Sequence, residues 1–243
     1  MFLPKIMHQE TCQTLLFENV KKRYFMNRSA KISKTQRPYP TLDLARTAAK
    51  ELFHDRSRPW EAIFGIGAYI YEYGPKLPYD QYDEIASGVW VHISAYLAPT
   101  AKIESPAIIC GGARICNHTL VERSIIGSFC TVGEMSTVRS SITFDRSRLC
   151  GHNSLSSSIL GYEATLGEGA MITDTRLDNL NVSINMPDER YISGRSHLGA
   201  IICDGAHVGA SSVVNPGTVI DSNAYIYTLS SVSGYIPPYS RTK

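Results

Sequence analysis

The sequence lacks the features that define several large classes of protein. In its 243 residues, no apolar run approaches the roughly 20 residues needed to span a bilayer. The first residues, MFLPKIMHQETC, show no basic flank followed by an apolar stretch and a small-residue cleavage site, so no signal peptide is expected. The net charge of +2 is too small for the basic surface that nucleic-acid binding requires. We therefore expect a cytoplasmic protein with no membrane span, which binds small molecules or proteins.

Motifs for metal and phosphate binding are also missing. The six cysteines include no CxxC pair, so neither a zinc ribbon nor a disulfide framework is indicated, and no bound metal is expected. No GxxxxGK[ST] loop occurs, and the glycines of LGEGAMIT follow a repeat rather than a phosphate-cradling pattern. The sequence therefore gives no support for nucleotidyltransferase or pyrophosphorylase activity.

Aliphatic residues recur at every sixth position over most of residues 97–236. Small residues stand four places after most of them, and two unbroken runs are Leu97, Ile103, Ile109, Ile115, Val121 and Ile202, Val208, Val214, Ile220, Ile226, Val232. An amphipathic helix would space them by three and four, and a half-buried strand would alternate. A three-sided coil fits, because each side turns one aliphatic residue inward and each corner needs a small residue. The sequence thus predicts an all-β solenoid, a left-handed parallel β-helix of hexapeptide repeats.

The repeat also explains most cysteines and exposes two interruptions. Cys130 takes a small corner position, and four others directly follow an aliphatic residue of the repeat, so all five are interpreted as packing residues: Cys110, Cys116, Cys150, Cys203. The phase drifts between Val138 and Leu160, and residues 173–197 leave the pattern altogether. Long insertions in a solenoid usually project from one face and often carry the binding function.

Residues before the repeat are predicted to form two further parts. Residues 1–40 hold eight lysines and arginines against two acids and are interpreted as a basic appendage. Thr41 is a plausible N-cap for a helix over 42–54, with one apolar face made of Leu42, Ala45, Ala49 and Leu52. Residues 41–88 are therefore predicted to be a helical cap over the first coil of a β-helix at 89–243, since solenoids need caps at their ends.

Several longer stretches make the chain similar to a known family. They are PWEAIFGIGAYI, LPYDQYDEIASGVWVHISAYLAPTAKIESPAII, SILGYEATLGEGAMIT and HLGAIICDGAHVGASSVVNPGTVI followed by YTLSSVSGYIP. Over residues 51–243 the chain resembles the acyltransferase-type β-helix of bifunctional UDP-N-acetylglucosamine pyrophosphorylase/glucosamine-1-phosphate N-acetyltransferases and their shorter sugar-phosphate nucleotidyltransferase-like relatives. The resemblance implies a homotrimer that binds acetyl-CoA along the helix side and an amino-sugar phosphate or nucleotide sugar between subunits. It also implies N-acetyl transfer, with a histidine that deprotonates the attacking amine.

The catalytic positions of this family are only partly preserved. The general-base position falls on Gly151, and His152 stands one residue later, in a predicted corner where a one-residue shift need not reverse the side chain. Asn153 matches the family, whereas Arg139 replaces a uridyl-contacting lysine. The resemblance therefore implies His152 and Asn153 as catalytic residues. Substrate-binding residues would be Arg139, Asp174 and Arg176, and cofactor-binding residues would be Ala170, Ser212 and Ser230.

Two alternatives to an active acyltransferase stay open. The first is a catalytically degenerate trimer that binds a sugar nucleotide or a protein, and it is motivated by departures from the family at Gly151, Ser154, Asp174 and Cys116. Arginines suit phosphate recognition, and a phosphate or a neighbouring subunit could be contacted by four charged residues of the insertion: Arg176, Asp178, Arg190 and Arg195.

The second alternative is a zinc enzyme similar to the trimeric β-helix carbonic anhydrases. His118 and His152 are 34 residues apart, so they are predicted to lie on one face about two coils from each other. A catalytic zinc site needs three protein ligands, and His197 or His207 would have to supply the third. No close pair of histidines like that of the carbonic anhydrases is present.

Overall fold

The computed structural model describes residues 41–54, 56 and 58–243, and in them the chain winds into a left-handed parallel β-helix of about 9 turns. The fold class predicted from the hexapeptide repeat is therefore confirmed. The appendage predicted at 1–40 lies outside the described residues. Within the described part, no helix is long and apolar enough to cross a membrane.

Each coil contributes one short strand to each of three faces. The first face is an eight-stranded parallel sheet of β3 (Tyr96–Leu97), β5 (Arg114–Ile115), β7 (Thr131–Val132), β10 (Arg148–Leu149), β13 (Thr165–Leu166), β18 (His207–Val208), β21 (Tyr225–Ile226) and β24 (Arg241–Thr242). The second face holds β8 (Thr137–Arg139), β11 (Ser154–Ser156), β14 (Met171–Ile172), β19 (Val213–Val214) and β22 (Ser231–Val232). The third face holds β2 (Val89–His92), β9 (Ile142–Thr143), β12 (Ile159–Leu160), β17 (Ile201–Ile202), β20 (Val219–Ile220) and β23 (Tyr235–Ile236).

Two longer strands join the second and third faces into one 14-stranded sheet. These strands are β4 (Lys102–Ile109) and β6 (Leu120–Ile126), which run through the corner that separates the two faces. The strand β1 (Tyr82–Ala86) pairs antiparallel with β2 and so covers the free edge of the third face. We call the corner between the first and second faces the first corner, that between the second and third faces the second corner, and the remaining one the third corner.

The apparent break between Val138 and Leu160 is a regular coil. The first face pairs Arg114 with Thr131, Thr131 with Arg148 and Arg148 with Thr165, so these coils take 17 residues each. The inward positions are therefore spaced by six, five and six, with the short step at the second corner, and Thr143 fills an inward position between Ile126 and Leu160. The phase drift between Val138 and Leu160 is therefore the sum of two short steps, from Val138 to Thr143 and from Leu155 to Leu160, and a polar residue at Thr143 hides the first of them.

A ladder of three serines closes the short second corner. Ser124, Ser141 and Ser158 each donate a hydrogen bond from Oγ to the carbonyl two residues earlier. Each Oγ also accepts the backbone N–H of the next coil, from Ser141, Ser158 and Ala200 in turn. Because the serine side chain replaces a backbone contact within the coil, the second corner needs one residue fewer than the first and third corners.

The last coil ends differently from its predicted pattern. Ile236 pairs with Ile220 on the third face and points inward, so it follows the inward Val232 by four positions instead of the six that the repeat predicts. The interior itself is a column of aliphatic side chains that runs through the coils from Val89 to Ile236.

The residues before the repeat form short helices on the outside of the third face. They are 3-10 turns at Leu44–Arg46, Pro59–Gly65 and Gly74–Lys76, with α1 (Lys50–His54) and α2 (Ile66–Tyr73). The single helix predicted over 42–54 is thus broken in two. The N-cap is Asp43 rather than Thr41, because the Asp43 carboxylate accepts the N–H of Ala45.

These helices pack against a lateral surface of the coils, the outside of the third face. Five third-face isoleucines turn outward and pack with them in a second hydrophobic core: Ile108, Ile125, Ile142, Ile159 and Ile201. The rings of Phe53 and Phe144 meet edge to face with centroids 5.7 Å apart. The segment reaches far along the β-helix, since the N–H of Asp43 donates to the Asp204 carboxylate at 2.6 Å. Burial raises the pKa of Asp204, and this backbone bond partly offsets the effect.

The insertion leaves the β-helix at the second corner and folds back over the third face. It forms an antiparallel hairpin of β15 (Ser183–Asn185) and β16 (Arg190–Ile192). Val182 and Ile184 join the outer core, and the guanidinium of Arg58 lies 4.1 Å from the ring centroid of Tyr191. The hairpin is therefore anchored to the helical segment as well as to the coils.

Removal of one ring should show how much this outer core stabilises the fold. Phe144 is fully buried, so Phe144→Ala should lower the free energy of unfolding by about 3–5 kcal/mol, through lost burial and the cavity left behind. Urea unfolding would measure the change. Phe129→Ala is the matched control, because that ring is 66% exposed and its loss should cost less than about 0.5 kcal/mol. Equal effects of the two substitutions would contradict the assignment.

Candidate functional site

A groove of about 860 Å³ opens between the insertion and the second corner of the later coils. One wall is made of insertion residues, among them Thr175, Arg176, Asp178, Ser183, Asn185 and Arg190. The other wall is the backbone and side chains of Asn215, Pro216, Gly217, Ser233 and Gly234. Most of these side chains are polar, so the groove suits a hydrophilic ligand.

Two arginines give the groove its positive charge. The guanidinium of Arg176 binds both carboxylate oxygens of Asp178, through Nε at 2.8 Å and through Nη2. This contact lowers the pKa of Asp178 to about 2, so the pair stays intact at neutral pH. Arg190 donates only to the hydroxyl of Ser183, at 3.0 Å, and forms no ion pair with any described residue. One uncompensated positive charge therefore remains for an anionic group.

Gly217 brings the two walls together. A Cβ at this position would lie 2.2 Å from the carbonyl oxygen of Ser183, and the residue has φ +75. Only glycine permits both the backbone conformation and the close approach of the hairpin. The width of the groove thus depends on one residue of the second corner.

A chain of hydrogen bonds lies at the base of the insertion. The hydroxyl of Ser157 donates to Asp174 Oδ2 at 2.8 Å, and that of Thr175 donates to Asp174 Oδ1 at 3.0 Å. His197 Nδ1 lies 2.9 Å from Thr175 Oγ1 and 3.7 Å from Asp174 Oδ2. An antiparallel bridge between Thr175 and His197 holds the two ends of the insertion in register. Asp174, predicted to bind substrate, thus lies beside the groove rather than in its lining.

His152 lies on another edge of the molecule. Its side chain is exposed at the first corner, and its backbone has φ 52. The strand β11 lies between it and Ser157, so the width of the second face separates His152 from the groove. The neighbouring Gly151, to which the resemblance assigns the base, has φ +143, a conformation that L side chains rarely adopt. A histidine at Gly151 would therefore be strained, and the role predicted for His152 stays a prediction.

Asn153 is buried in the first corner, where its side chain ties two coils together. Its Oδ1 accepts the N–H of Gly151 at 2.9 Å, and Nδ2 donates to the carbonyls of Gly167 at 2.7 Å and Ala170 at 3.1 Å. This amide has no free polar atom left to offer a substrate. Its arrangement is that of a structural residue, although it was predicted to be catalytic.

The three predicted cofactor-binding residues lie in the same corner column as Asn153. Ala170 and Ser212 are fully buried and Ser230 is nearly so. The hydroxyls of Ser212 and Ser230 both donate to the carbonyl of Tyr227 at 2.8 Å. These side chains shape the corner from inside, and only the surface above them remains for a ligand.

Arg139, predicted to bind substrate, lies on the exposed second face. Its Nε is 3.2 Å from a carboxylate oxygen of Glu122 in the preceding coil. Arg195 also has a local partner, since its guanidinium lies 5.0 Å from the ring centroid of Phe64. Of the charged residues named from the sequence, the groove therefore brings together Arg176, Asp178 and Arg190.

Among the described residues of one chain, no three His, Cys, Asp or Glu side chains lie close enough together to bind a metal ion. His118 and His152 both lie at the first corner, two coils apart, as predicted. Because neighbouring strands are about 4.8 Å apart, the backbones of the two residues are separated by about 10 Å. His207 stacks on Tyr225 on the first face, and His197 belongs to the second corner. Neither can be the third ligand in the same chain.

The cysteines behave as packing residues where they are buried. Cys110, Cys130 and Cys203 are buried, and burial raises the pKa of the Cys110 thiol to about 12. Cys150 is exposed and Cys116 is half-buried, so the packing interpretation holds for three of the five described cysteines.

Sequence reasoning missed the association of Ser157, Thr175 and His197. The 17-residue period places Ser157 one coil before Asp174, and this signal was available once the short corner was recognised. The bridge between Thr175 and His197 crosses 22 residues of insertion, and no repeat indicates it.

No protein-family model matches the sequence, and no curated protein matches it either. Among solved structures, a variant of an N-acyltransferase from Bacillus cereus with dTDP-4-amino-4,6-dideoxyglucose and coenzyme A is 14% identical, covers 64% of this chain and 76% of that chain, and has a TM-score of 0.38. A variant of perosamine N-acetyltransferase from Caulobacter crescentus with CoA and GDP-perosamine is 18% identical, covers 58% of this chain and 49% of that chain, and has a TM-score of 0.26.

A hexapeptide transferase family protein from Anaplasma phagocytophilum is 20% identical, covers 61% of this chain and 76% of that chain, and has a TM-score of 0.33. This chain spans about half the length of the perosamine enzyme. Because the three TM-scores are below 0.5, the likeness says nothing about activity. The β-helix assignment rests on the strand pairing of this chain.

The structural role of Asn153 can be tested by removing its amide. Asn153→Ala leaves one buried N–H and two carbonyls without this partner, so the free energy of unfolding should fall by about 2–4 kcal/mol. Denaturant unfolding would measure this change, with Ser154→Ala as the control on the adjacent half-buried position. A variant as stable as the wild type would show that the amide is not a structural tie.

Proposed function

We propose that the protein is an acyl-CoA-dependent N-acetyltransferase whose acceptor is an amino-sugar phosphate or a nucleotide sugar. The observation that carries the proposal is the polar groove with the unpaired guanidinium of Arg190 and the paired one of Arg176. A guanidinium suits the oxygens of a phosphate, and the hydroxyls and amides of the same groove suit those of a sugar. The resemblance described above supplies the reaction.

In this reaction the amine of the acceptor attacks the thioester carbon of acetyl-CoA. A new C–N bond forms, the C–S bond breaks, and CoA leaves as a thiol, while a general base removes one proton from the attacking amine. A neutral histidine is suited to this role because it can take up a proton near neutral pH. No metal is needed for the electron balance of the step.

The proposal places acetyl-CoA along the first corner and the adjoining second face. Ala170, Ser212 and Ser230 are small and buried, so they leave room for a ligand on the surface of the first corner. Exposed apolar side chains of Met171 and Leu229 flank it and offer contacts to a pantetheine arm. The second face leads from this corner to the groove, where the amine would be held.

A homotrimer is part of the same proposal, since the resemblance implies a substrate held between subunits. The helical segment covers the third face, so the first and second faces remain for contact between copies. The groove lies at the border of the second face, where a neighbouring copy would complete it.

A second candidate function is ligand binding without turnover. The positive φ of Gly151 favours it, because the position assigned to the base by resemblance cannot readily carry a histidine. The same groove would then hold a nucleotide sugar with no chemical step.

Release of free thiol from acetyl-CoA distinguishes the two functions. With glucosamine-1-phosphate and a panel of amino sugars and nucleotide amino sugars as acceptors, the wild type should release CoA in amounts that match the acetylated product. If His152 is the base, His152→Ala should reduce kcat by about 100-fold or more. Saturable binding of an acceptor with no thiol release would instead establish the binding function.

The charge of the groove gives a second prediction. Asp178→Asn removes the carboxylate that occupies the Arg176 guanidinium, so the groove gains a second free cation. The affinity for the phosphorylated acceptor, measured by calorimetry, should rise about 3-fold to 10-fold at low salt. Glu163→Gln is the matched control, because it removes an exposed carboxylate paired with Arg146 away from the groove. A weaker or unchanged affinity in Asp178→Asn would place the phosphate elsewhere.

A further inference from the structure

We infer that His197 is the base that deprotonates the acceptor amine, and that Thr175 and Asp174 position its ring. The inference rests on the proposed acetyl transfer and assigns its proton acceptor to the insertion rather than to the first corner. It depends on three observations: the hydrogen bond between His197 and Thr175, the exposure of the His197 side chain, and the pairing of His197 with a residue that lines the groove.

The hydrogen bonds of Thr175 favour one position of the proton on the His197 ring. A carboxylate accepts and cannot donate, so the single hydroxyl proton of Thr175 goes to Asp174 Oδ1. Thr175 Oγ1 must then accept from His197 Nδ1, which lies 2.9 Å away. The neutral ring is therefore protonated at Nδ1, and Nε2 has a free lone pair. A base needs this lone pair on the side that faces its substrate.

Ser157 holds the other end of the chain. Its hydroxyl donates to Asp174 Oδ2, so both oxygens of the carboxylate are fixed. Oδ2 also lies 3.7 Å from His197 Nδ1, close enough to stabilise the positive charge that the ring gains when Nε2 takes a proton. Asp174 and Thr175 act through the ring and are positioning residues, whereas His197 would meet the substrate.

His197 is accessible and is paired with a residue of the groove wall. Its side chain is 66% exposed, and among the described residues none forms a hydrogen bond with Nε2. Its bridge partner Thr175 lines the groove, and Arg176 is the next residue along that wall. An acceptor whose phosphate lies on Arg176 and Arg190 would therefore have its sugar ring near His197. His152 lies across the whole second face from these arginines.

The step balances without any further reactant. Nε2 takes the proton from the amine as nitrogen attacks the thioester carbon, and the imidazolium then returns this proton to the departing CoA sulfur. The ring ends as it began, neutral and protonated at Nδ1. Each turnover consumes one acetyl-CoA and yields one amide and one CoA thiol.

A spectroscopic measurement tests the hydrogen-bond chain independently of activity. Long-range ¹H–¹⁵N correlation of the ¹⁵N-labelled full chain reports which ring nitrogen of His197 is protonated, and we expect Nδ1. Thr175→Ser keeps the hydroxyl and should preserve this tautomer, whereas the isosteric Thr175→Val should shift the ring towards the Nε2–H form. A wild-type ring protonated at Nε2 would overturn the inference, because that nitrogen could not act as the base.

Kinetics test the catalytic role. In the acetyl-CoA assay, His197→Ala should lower kcat by about 100-fold or more, with a change in KM of less than about 3-fold, and added imidazole should restore part of the lost rate. Asp174→Asn should lower kcat by about 10-fold without lowering the unfolding midpoint by more than a few degrees. His92→Ala, which removes a half-buried histidine at the end of β2 on the third face, should leave turnover unchanged.

The outcomes separate the inference from the proposed function. Turnover that survives in His197→Ala but is lost in His152→Ala would overturn the inference and leave the acetyltransferase standing. Absence of turnover in the wild type with every acceptor would overturn both. Loss in His197→Ala without imidazole rescue and with an altered fold by circular dichroism would also count against a catalytic role.

Discussion

The serine ladder at the second corner is the interaction on which the rest of the structure depends. Ser124, Ser141 and Ser158 bond to their own coil through a carbonyl and to the next coil through a backbone N–H. This arrangement lets the corner close with five residues and sets the period at 17. The last acceptor in the ladder, Ser158 Oγ, binds Ala200 N, so it also fixes the point where the chain returns after the insertion.

The candidate site follows from this placement. An insertion can leave a β-helix only at a corner, because a strand in the middle of a face is paired on both sides. Here it leaves after Thr173 and comes back at Leu198, whose N–H donates to the carbonyl of Asp174. The ends of the insertion are thus joined, the hairpin lies back over the third face, and the groove is the space left between the hairpin and the later coils.

The sequence predicted the solenoid well because an inward aliphatic residue at every sixth position has no competing explanation. Thr143 concealed one five-residue step because it stands where an aliphatic residue was expected, whereas the step from Val121 to Ile126 has an aliphatic residue at each end. The covered third face had a signal that was not used: the apolar pairs Ile108–Ile109, Ile125–Ile126 and Ile159–Leu160 each place one side chain outward and one inward. A strand whose two sides are both apolar must be buried on both.

The site was predictable only in part. Arg176 and Arg190 were named for their chemistry, and the groove unites them. Asn153 and the residues predicted to bind the cofactor stand at corner positions, where a structural role explains such residues equally well. Their burial supports the structural role. The contact of His197 with Thr175 joins two ends of an irregular segment, where no periodicity exists to guide a prediction.

The long reach of the helical segment has a consequence for the order of folding. Asp43 is among the first described residues to leave the ribosome, yet its partner Asp204 is synthesised 161 residues later. The segment is made before the coils, so its apolar side chains, such as Phe53 and Trp60, lack their partners until the outer isoleucines of the third face have been synthesised. During synthesis the segment can cover each coil as it forms, but its contact with Asp204 can close only after the insertion and the coil that follows it have been made.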